Sequence, residues 1–206
     1  MIKIYHVPGS RSLRVVWLME ELGEPYELKL VPVPFDAAFL AENPQGSVPF
    51  IVEDGVAMAE SIAILQYITG TRLASRPSGA PTFTIGPRPD PAAYAAHLQF
   101  LHLGEGSLAI FGTLIAIARR MAPEGARENF TTELCAARFV RRLSAVEHRL
   151  ADGRAFLMGD QFTIADISVG FALRIAEAQK LAMPEVVDRY YRRLTERPAY
   201  QRAIAK

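Results

Sequence analysis

The sequence predicts an α/β domain of order βαβαββα joined to an all-helical domain. Short β-like runs alternate with helix-like runs through the first 70 residues, which is the pattern of a βαβ unit with a partly parallel sheet. A segment dense in proline and glycine follows, and beyond it the apolar residues recur at helical spacing. We therefore predict domains at 1–70 and 91–206, with a linker at 71–90.

The first three elements are set by apolar runs and the residues that interrupt them. Residues 3–6 form a β-like run, which Pro8 ends. Apolar side chains in residues 12–22 recur at helical spacing until Gly23 stops the helix. Residues 26–31 return to a β-like pattern, so we predict strand, helix and strand in that order.

The remaining elements of the first domain surround a tight turn. Residues 36–42 form a weak helical pattern after a proline-containing loop. Residues 48–52 and 56–58 are β-like runs on either side of a turn that ends in Gly55. Helical spacing resumes at 61–67, so a β-hairpin and a helix complete the domain.

The second domain consists of helices only. One of them has an explicit start signal, because Thr163 can cap it, Asp166 can reach back, and Phe162 can pack onto Ile167. This signal is a folding device and not a site. The predicted helices are 92–121, 126–150, 164–180, 184–195 and a short one after Pro198.

Composition argues against several classes of partner. Lys and Arg total 23 against 22 Asp and Glu, and the basic residues are scattered, so we expect neither nucleic-acid nor membrane binding. We see no signal peptide and no apolar stretch long enough to span a bilayer, and we expect a cytoplasmic protein. The single cysteine, Cys135, lies in a helical pattern and is interpreted as a buried, inert thiol.

Several segments resemble those of glutathione transferases. Residues 156–167 are similar to the cap-and-staple segment of their helical domain, and residues 193–200 are similar to their C-terminal signature. Residues 43–51, followed by Glu60-Ser61, resemble their glutathione-binding stretch. The resemblance spans nearly the whole chain. It implies a thioredoxin-like first domain, a helical-bundle second domain, and a homodimer that pairs the first domain of one chain with the second domain of the other.

The resemblance also assigns the residues that hold glutathione. The proline that matches Pro49 is cis in the family, although most X-Pro bonds are trans, and it turns the backbone of Val48 toward the cysteinyl part of glutathione. Ser47 stands in the same stretch, where many relatives have Lys or Gln. Glu60 and Ser61 match the pair that binds the γ-glutamyl group, whereas by itself Ser61 reads as an ordinary helix cap.

Three hydroxyls are candidates for activating the thiol. The loop that begins at Pro8 has no cysteine, so the protein itself cannot carry out thiol–disulfide exchange. A serine O–H that donates to the sulfur of glutathione favours thiolate over thiol, and Ser10 is our first choice, because its spacing resembles serine-type transferases. Ser12 is a second candidate, or only a helix cap. Tyr5 is the alternative, because other branches of the family use a tyrosine from this strand end. Its other interpretation is a partly buried core tyrosine.

One departure from the family concerns positive charge. The chain has no Lys, Arg or His from Leu30 through Thr71, where many relatives bind the glycyl carboxylate with a basic residue. Arg11 or the partner subunit remains as the source of that charge.

The predicted reaction adds the glutathione thiolate to a small hydrophobic electrophile, as in detoxification. A glutathione peroxidase and a non-catalytic ligand-binding or assembly module are the alternatives. The helix that contains residues 97–108 resembles the one facing the active site in the family, and one or two of its apolar side chains are expected to line the second-substrate pocket. His102 and Glu105 share a face of it, but two groups are too few for a metal site, so we expect no metal.

Overall fold

The computed structural model describes residues 1–74 and 91–206. Its first half has the predicted order βαβαββα, and each predicted element is found close to its expected bounds except the last helix, which continues to Ala74. The elements are β1 Ile2–His6, α1 Leu13–Leu22, β2 Tyr26–Leu30, α2 Ala37–Glu42, β3 Phe50–Glu53, β4 Val56–Ala59 and α3 Ser61–Ala74.

The four strands form one mixed sheet in the order β2-β1-β3-β4. β1 pairs parallel with β2, with Ile2 opposite Tyr26, and antiparallel with β3, with Tyr5 opposite Phe50. The β3–β4 pair is the predicted hairpin, and Gly55 in its turn has φ 83°, a value that favours glycine. Because β1 is central, the loop that follows it emerges at the middle of the sheet.

Helix α1 buries almost its whole length. Its apolar residues from Leu13 to Leu22 are all buried, and Gly23 ends the helix in a left-handed conformation with its N–H bonded to the carbonyl of Met19. Burial of so many large side chains fixes the N-terminus of α1 firmly against the rest of its unit.

The second half is helical, as predicted. The elements are α4 Pro91–Leu103, a π-helical segment Gly104–Ala109, α5 Ile110–Met121, a 3₁₀ turn Glu124–Ala126, α6 Phe130–Leu150, α7 Ile164–Ala178, α8 Glu185–Thr195 and α9 Pro198–Ile204. α6 begins later than predicted because Asn129 caps it, accepting from the N–H groups of Thr131 and Thr132.

The predicted helix 92–121 is interrupted by the π-helical segment. A Cβ on Gly104 would lie 2.4 Å from Ser168 Oγ and 2.6 Å from the Ser168 carbonyl carbon, so the backbones of the π-helical segment and α7 approach closely there. The Ser168 hydroxyl also donates to the Leu101 carbonyl at 2.7 Å. A side-chain bond into a helical ladder is one recognised cause of such irregularity.

The run Pro91–Met121 corrects the prediction about membrane spans. By length and composition this run of 31 residues is long and apolar enough to cross a bilayer: an 18-residue window of it has a mean hydropathy of 1.6, and 39% of that window is buried. Its α4 part packs on α7 and its α5 part on α6, which is the packing of a bundle helix.

The chain forms two compact units, and the second does not include the chain end. The unit that contains the sheet also contains Thr195–Lys206, and residues 91–194 lie in the other unit. α9 packs on α1, with the Tyr200 ring edge-on to Trp17 at 4.9 Å between centroids. Arg197 Nη2 donates to Glu21 Oε2 at 2.8 Å, and Arg202 Nε donates to Glu20 Oε2 at 2.6 Å.

The predicted linker at 71–90 falls mostly outside the described residues. α3 continues to Ala74, beyond the expected start of the linker, and the structure is described again from Pro91. The domain boundaries 1–70 and 91–206 therefore stay a prediction.

Candidate active site

The loop between β1 and α1 folds back on the end of the central strand. Gly9 has φ 77°, and the N–H of Ser10 then donates to the Val7 carbonyl at 3.1 Å, which closes a tight turn. The loop ends at Ser12, directly before α1. This turn brings the two predicted serines beside the last residue of β1.

A chain of hydrogen bonds joins these serines to a histidine. Ser10 Oγ lies 2.7 Å from Ser12 Oγ, which lies 2.8 Å from His6 Nδ1. His6 and Ser12 are buried and Ser10 is half-buried, so the chain runs from the interior outward. Burial lowers the pKa of His6, which keeps its imidazole neutral near pH 7.

Ser12 does not act as the predicted helix cap. It occupies the cap position of α1 with helical angles, φ −64° and ψ −21°, and its hydroxyl makes no capping bond. A capping side chain needs an extended backbone so that its oxygen can reach the N–H groups of the first turn. The hydroxyl of Ser12 is used by His6 and Ser10 instead.

Tyr5 has the environment of a core tyrosine. Its side chain is fully buried, its ring lies 5.3 Å from the rings of both Phe39 and Phe50, and its hydroxyl donates to Glu42. Burial and the bond to Glu42 raise the pKa of Tyr5 to about 12. A hydroxyl that already donates to a carboxylate is poorly placed to donate to a thiolate.

Glu60 and Ser61 lie at the start of α3, as predicted. Glu60 is exposed, with φ 71°, a left-handed conformation that is unfavourable for Glu, and such residues cluster at functional sites. Gln45 Nε2 donates to Glu60 Oε1 at 2.9 Å. An exposed carboxylate next to a helix N-terminus offers an ammonium acceptor beside a place for a carboxylate.

A buried arginine that the sequence interpretation did not assign lies behind Ser61. Arg14 is fully buried, and its Nη1 donates to Ser61 Oγ at 3.0 Å. The hydroxyl proton of Ser61 is therefore free to point elsewhere, and a guanidinium charge lies next to the predicted γ-glutamyl site. The helical spacing of Arg14 with Leu18, both on the buried face of α1, was the available signal.

The Val48–Pro49 peptide bond is cis, which confirms that prediction. Beside it, the Ser47 carbonyl accepts from Asn43 Nδ2 at 2.8 Å, so the buried Asn43 holds this segment in place. A second cis bond, Val33–Pro34, was not predicted.

Basic residues near this stretch are already paired. Lys29 lies 3.4 Å from Glu42, and Arg72 binds Glu24 at 2.8 Å and Glu53. Arg11, which the sequence analysis names for the glycyl carboxylate, stands half-buried in the loop before α1.

The helical unit contains a cavity of about 660 Å³ between α4 and α6. Leu103 belongs to the 97–108 stretch, where one or two apolar side chains are expected to line the second-substrate pocket, and it lines this cavity, whereas Phe100 and Leu108 of the same stretch are buried. Its lining includes Gln99, Leu103, Leu134, Arg138, Arg141 and Arg142. Across residues 1–74 and 91–206, no three His, Cys, Asp or Glu residues group as metal ligands. Cys135 is buried, which confirms the prediction for that residue.

His6, like Arg14, is a residue near the site to which the sequence analysis assigns no role. The period of two along β1 places it on the same face as Ile2 and Ile4, both buried, so an inward histidine next to a hydroxyl-rich loop was a readable signal.

Two family models match the chain. They are the glutathione S-transferase N-terminal domain over residues 9–71 and the glutathione S-transferase C-terminal domain over residues 116–202. Among curated proteins, glutathione S-transferase 3 of Schizosaccharomyces pombe is 28% identical over all of this chain and 88% of its own length. Glutathione S-transferase GstA of Escherichia coli is 27% identical over 99% of this chain and 98% of its own.

Solved structures have the same fold. The glutathione transferase of Methylococcus capsulatus superposes with a TM-score of 0.78 at 27% identity, over 100% of this chain and 98% of that chain. A glutathione transferase of Burkholderia graminis, solved with two glutathione molecules per subunit, gives 0.81 at 24% identity, over 100% and 88%. With a thioredoxin-like unit, a helical bundle, and family models that together cover more than half of its length, the chain belongs to the glutathione S-transferase family.

Proposed function

We propose that this transferase holds glutathione along residues 48–61 and uses the Ser10 hydroxyl to stabilise its thiolate for attack on a hydrophobic electrophile. The observation that carries the proposal is the half-buried Ser10 hydroxyl beside an α1 N-terminus that no side chain caps. The helix dipole favours a negative charge there, and a donated hydrogen bond lowers the pKa of the thiol further.

The γ-glutamyl end is assigned to the start of α3. The exposed Glu60 carboxylate accepts from the ammonium group, and the N-terminus of α3, with the Ser61 hydroxyl and the Arg14 charge behind it, binds the carboxylate. The backbone of Val48 is left for the cysteinyl part and Arg11 for the glycyl carboxylate. This intact binding set favours an enzyme over a non-catalytic module.

The test compares the titration of bound glutathione in three proteins. The thiolate absorbance of the glutathione complex is followed against pH for the wild type, Ser10→Ala and Tyr5→Phe, with turnover of a chromogenic aryl halide measured alongside. Ser10→Ala should raise the thiol pKa and lower kcat while the KM for glutathione stays nearly constant. A shift only in Tyr5→Phe would transfer the role to the tyrosine.

The binding set has a different kinetic signature. Ser61→Ala removes a contact formed equally in the ground and transition states. It should therefore raise the KM for glutathione, by an amount that corresponds to a loss of about 1 to 3 kcal/mol in binding free energy, without changing kcat. Unchanged KM would remove Ser61 from the site.

We also propose a homodimer and a cytoplasmic location, both supported by the family alone. Sedimentation at micromolar concentration checks the first, and a species of 22.7 kDa would contradict it.

A further inference from the structure

The hydroxyl chain at the end of β1 contains one group with no role in the proposed function, the buried imidazole of His6. Its Nδ1 lies 2.8 Å from Ser12 Oγ, and Ser12 Oγ lies 2.7 Å from Ser10 Oγ. Each hydroxyl has one proton and two lone pairs, so the direction of every bond in the chain depends on the direction of its neighbours.

The backbone already occupies part of this capacity. The N–H of Val7 donates to Ser12 Oγ at 3.3 Å, which uses one lone pair. The N–H of Ser12 donates to Ser10 Oγ at 3.3 Å, which uses one lone pair there. Ser12 Oγ therefore has one proton and one lone pair left for its contacts with His6, Ser10 and, at 3.3 Å, the Val7 carbonyl.

In one direction of the hydrogen-bond chain, the Ser10 hydroxyl donates its proton inward to Ser12. If His6 Nδ1 is bare, the Ser12 proton goes to Nδ1, and the remaining lone pair of Ser12 accepts from the Ser10 hydroxyl. Ser10 then presents only an oxygen lone pair outward. An oxygen lone pair repels a thiolate, so this direction opposes the proposed chemistry.

In the other direction of the hydrogen-bond chain, the Ser10 hydroxyl keeps its proton for an acceptor outside the chain's own contacts, so it can donate outward. If Nδ1 carries the proton, it donates to Ser12 Oγ, and Ser12 donates to Ser10 Oγ across the shorter of its two remaining contacts, 2.7 Å against 3.3 Å to Val7. Both lone pairs of Ser10 are then filled, because the Ser12 N–H takes the other. The Ser10 proton is left to donate outward.

We infer that His6, as the neutral tautomer protonated at Nδ1, is a positioning residue that sets the direction of the His6–Ser12–Ser10 chain, so that the Ser10 hydroxyl donates to the sulfur of glutathione. The inference rests on the proposed role of Ser10. Lowering of the His6 pKa by burial supports a neutral ring and makes the choice one between tautomers.

Two substitutions at position 6 separate donation from packing. His6→Asn retains an amide N–H close to the place of Nδ1, whereas His6→Leu keeps comparable bulk without a donor. His6→Leu should raise the pKa of bound glutathione by about one unit and lower kcat about tenfold below that pKa, with the affinity for glutathione unchanged. His6→Asn should restore most of both. Equal loss in the two variants would overturn the inference.

A measurement on the unaltered protein decides the case even if the variants fold poorly. With ¹⁵N-labelled histidine, the ring nitrogens of His6 in the glutathione complex should show a protonated Nδ1 and a bare Nε2, and through-bond correlations from the assigned backbone of His6 identify these signals. A bare Nδ1 overturns the inference. If Ser10→Ala leaves the thiol titration unmoved, the proposed role of Ser10 fails. If Ser10→Ala shifts it and His6→Leu does not, only the role of His6 fails.

Discussion

Helices α1 and α7 both begin after a hydroxyl residue, and they use it in opposite ways. Thr163 caps α7, accepting from the N–H of Ala165 at 3.2 Å, while Asp166 Oδ2 accepts from the N–H of Thr163 at 2.8 Å. Ser12 has helical angles, caps nothing, and gives its side chain to His6 and Ser10.

The difference separates a helix end that is capped by its own side chains from one whose serine hydroxyls belong to the proposed site. The N–H groups at the start of α7 are satisfied by its own side chains, so an anion would gain little there. At α1 the N–H groups of Leu13, Arg14 and Val15 donate to the backbone carbonyls of the preceding turn, and the helix dipole, which no side chain caps, favours a bound anion. Substitutions at the two ends should therefore affect different observables.

The largest effect is expected on stability, when the carboxylate of Asp166 in α7 is removed. Asp166 is fully buried and accepts from the N–H groups of Leu157 and Thr163 and from the hydroxyl of Tyr190 at 2.8 to 2.9 Å. Asp166→Ala leaves these donors unpaired and should lower the free energy of unfolding by about 3 to 5 kcal/mol in urea titrations. Turnover per folded molecule should not change. Asp160→Ala, at an exposed carboxylate of the same segment, is the control and should change stability little.

The next effect concerns a buried polar group of the helical unit that lacks such partners. Neither ring nitrogen of the fully buried His97 has a hydrogen-bond partner in the described structure, and burial lowers its pKa to about 4. The unfolded chain takes up a proton near pH 6.5 and the folded one only near pH 4. Stability should therefore be complete above pH 6.5 and fall by about 2 to 3 kcal/mol toward pH 4.

Urea titrations at pH 7 and pH 4.5 check this dependence. His97→Leu should lessen the loss of stability on acidification, whereas His148→Gln, at an exposed histidine, should leave the loss as in the wild type. An identical loss in His97→Leu would show that other groups cause it.

A smaller effect is expected from the cap of α7. Thr163→Ala should cost about 1 to 2 kcal/mol of stability, because one capping bond is lost while Asp166 keeps its other donors. Thermal unfolding measures the loss, and kcat/KM for glutathione should be that of the wild type. A fall in kcat/KM would link α7 to the chemistry and break the comparison.

The smallest change in stability is expected at Ser10, where the chemical effect is expected to be clear. Its hydroxyl is half-buried and lies outside the helix, so Ser10→Ala should change the free energy of unfolding by less than about 0.5 kcal/mol. If its stability falls as far as that of Thr163→Ala, the serine is structural and the contrast between the two helix ends does not hold.

Local signals predicted those parts of the fold that depend on neighbouring residues. The turn at Gly55 placed the hairpin, and Thr163 with Asp166 placed the start of α7. The π-helical segment at Gly104 was out of reach, because it depends on the approach of Ser168, which is distant in the sequence.

The candidate site also has parts that the sequence predicts and parts that depend on packing. Resemblance located Ser10, the cis Pro49, Glu60 and Ser61; the structure confirms the cis bond, and the roles of the other three stay predictions. The residues that support them were not found, because an inward-facing strand position or helix position is defined only once the packing is known. His6 behind Ser10 and Arg14 behind Ser61 are of this kind.

The packing of α9 on α1 has a consequence for how the protein is made. A ribosome has synthesised all of the sheet and α1 long before it reaches Tyr200 and Arg202, which pack against Trp17 and pair with Glu20. During translation, the surface of α1 that binds α9 therefore stays exposed while the intervening helices are synthesised. The unit that is synthesised first is thus the last to be completed.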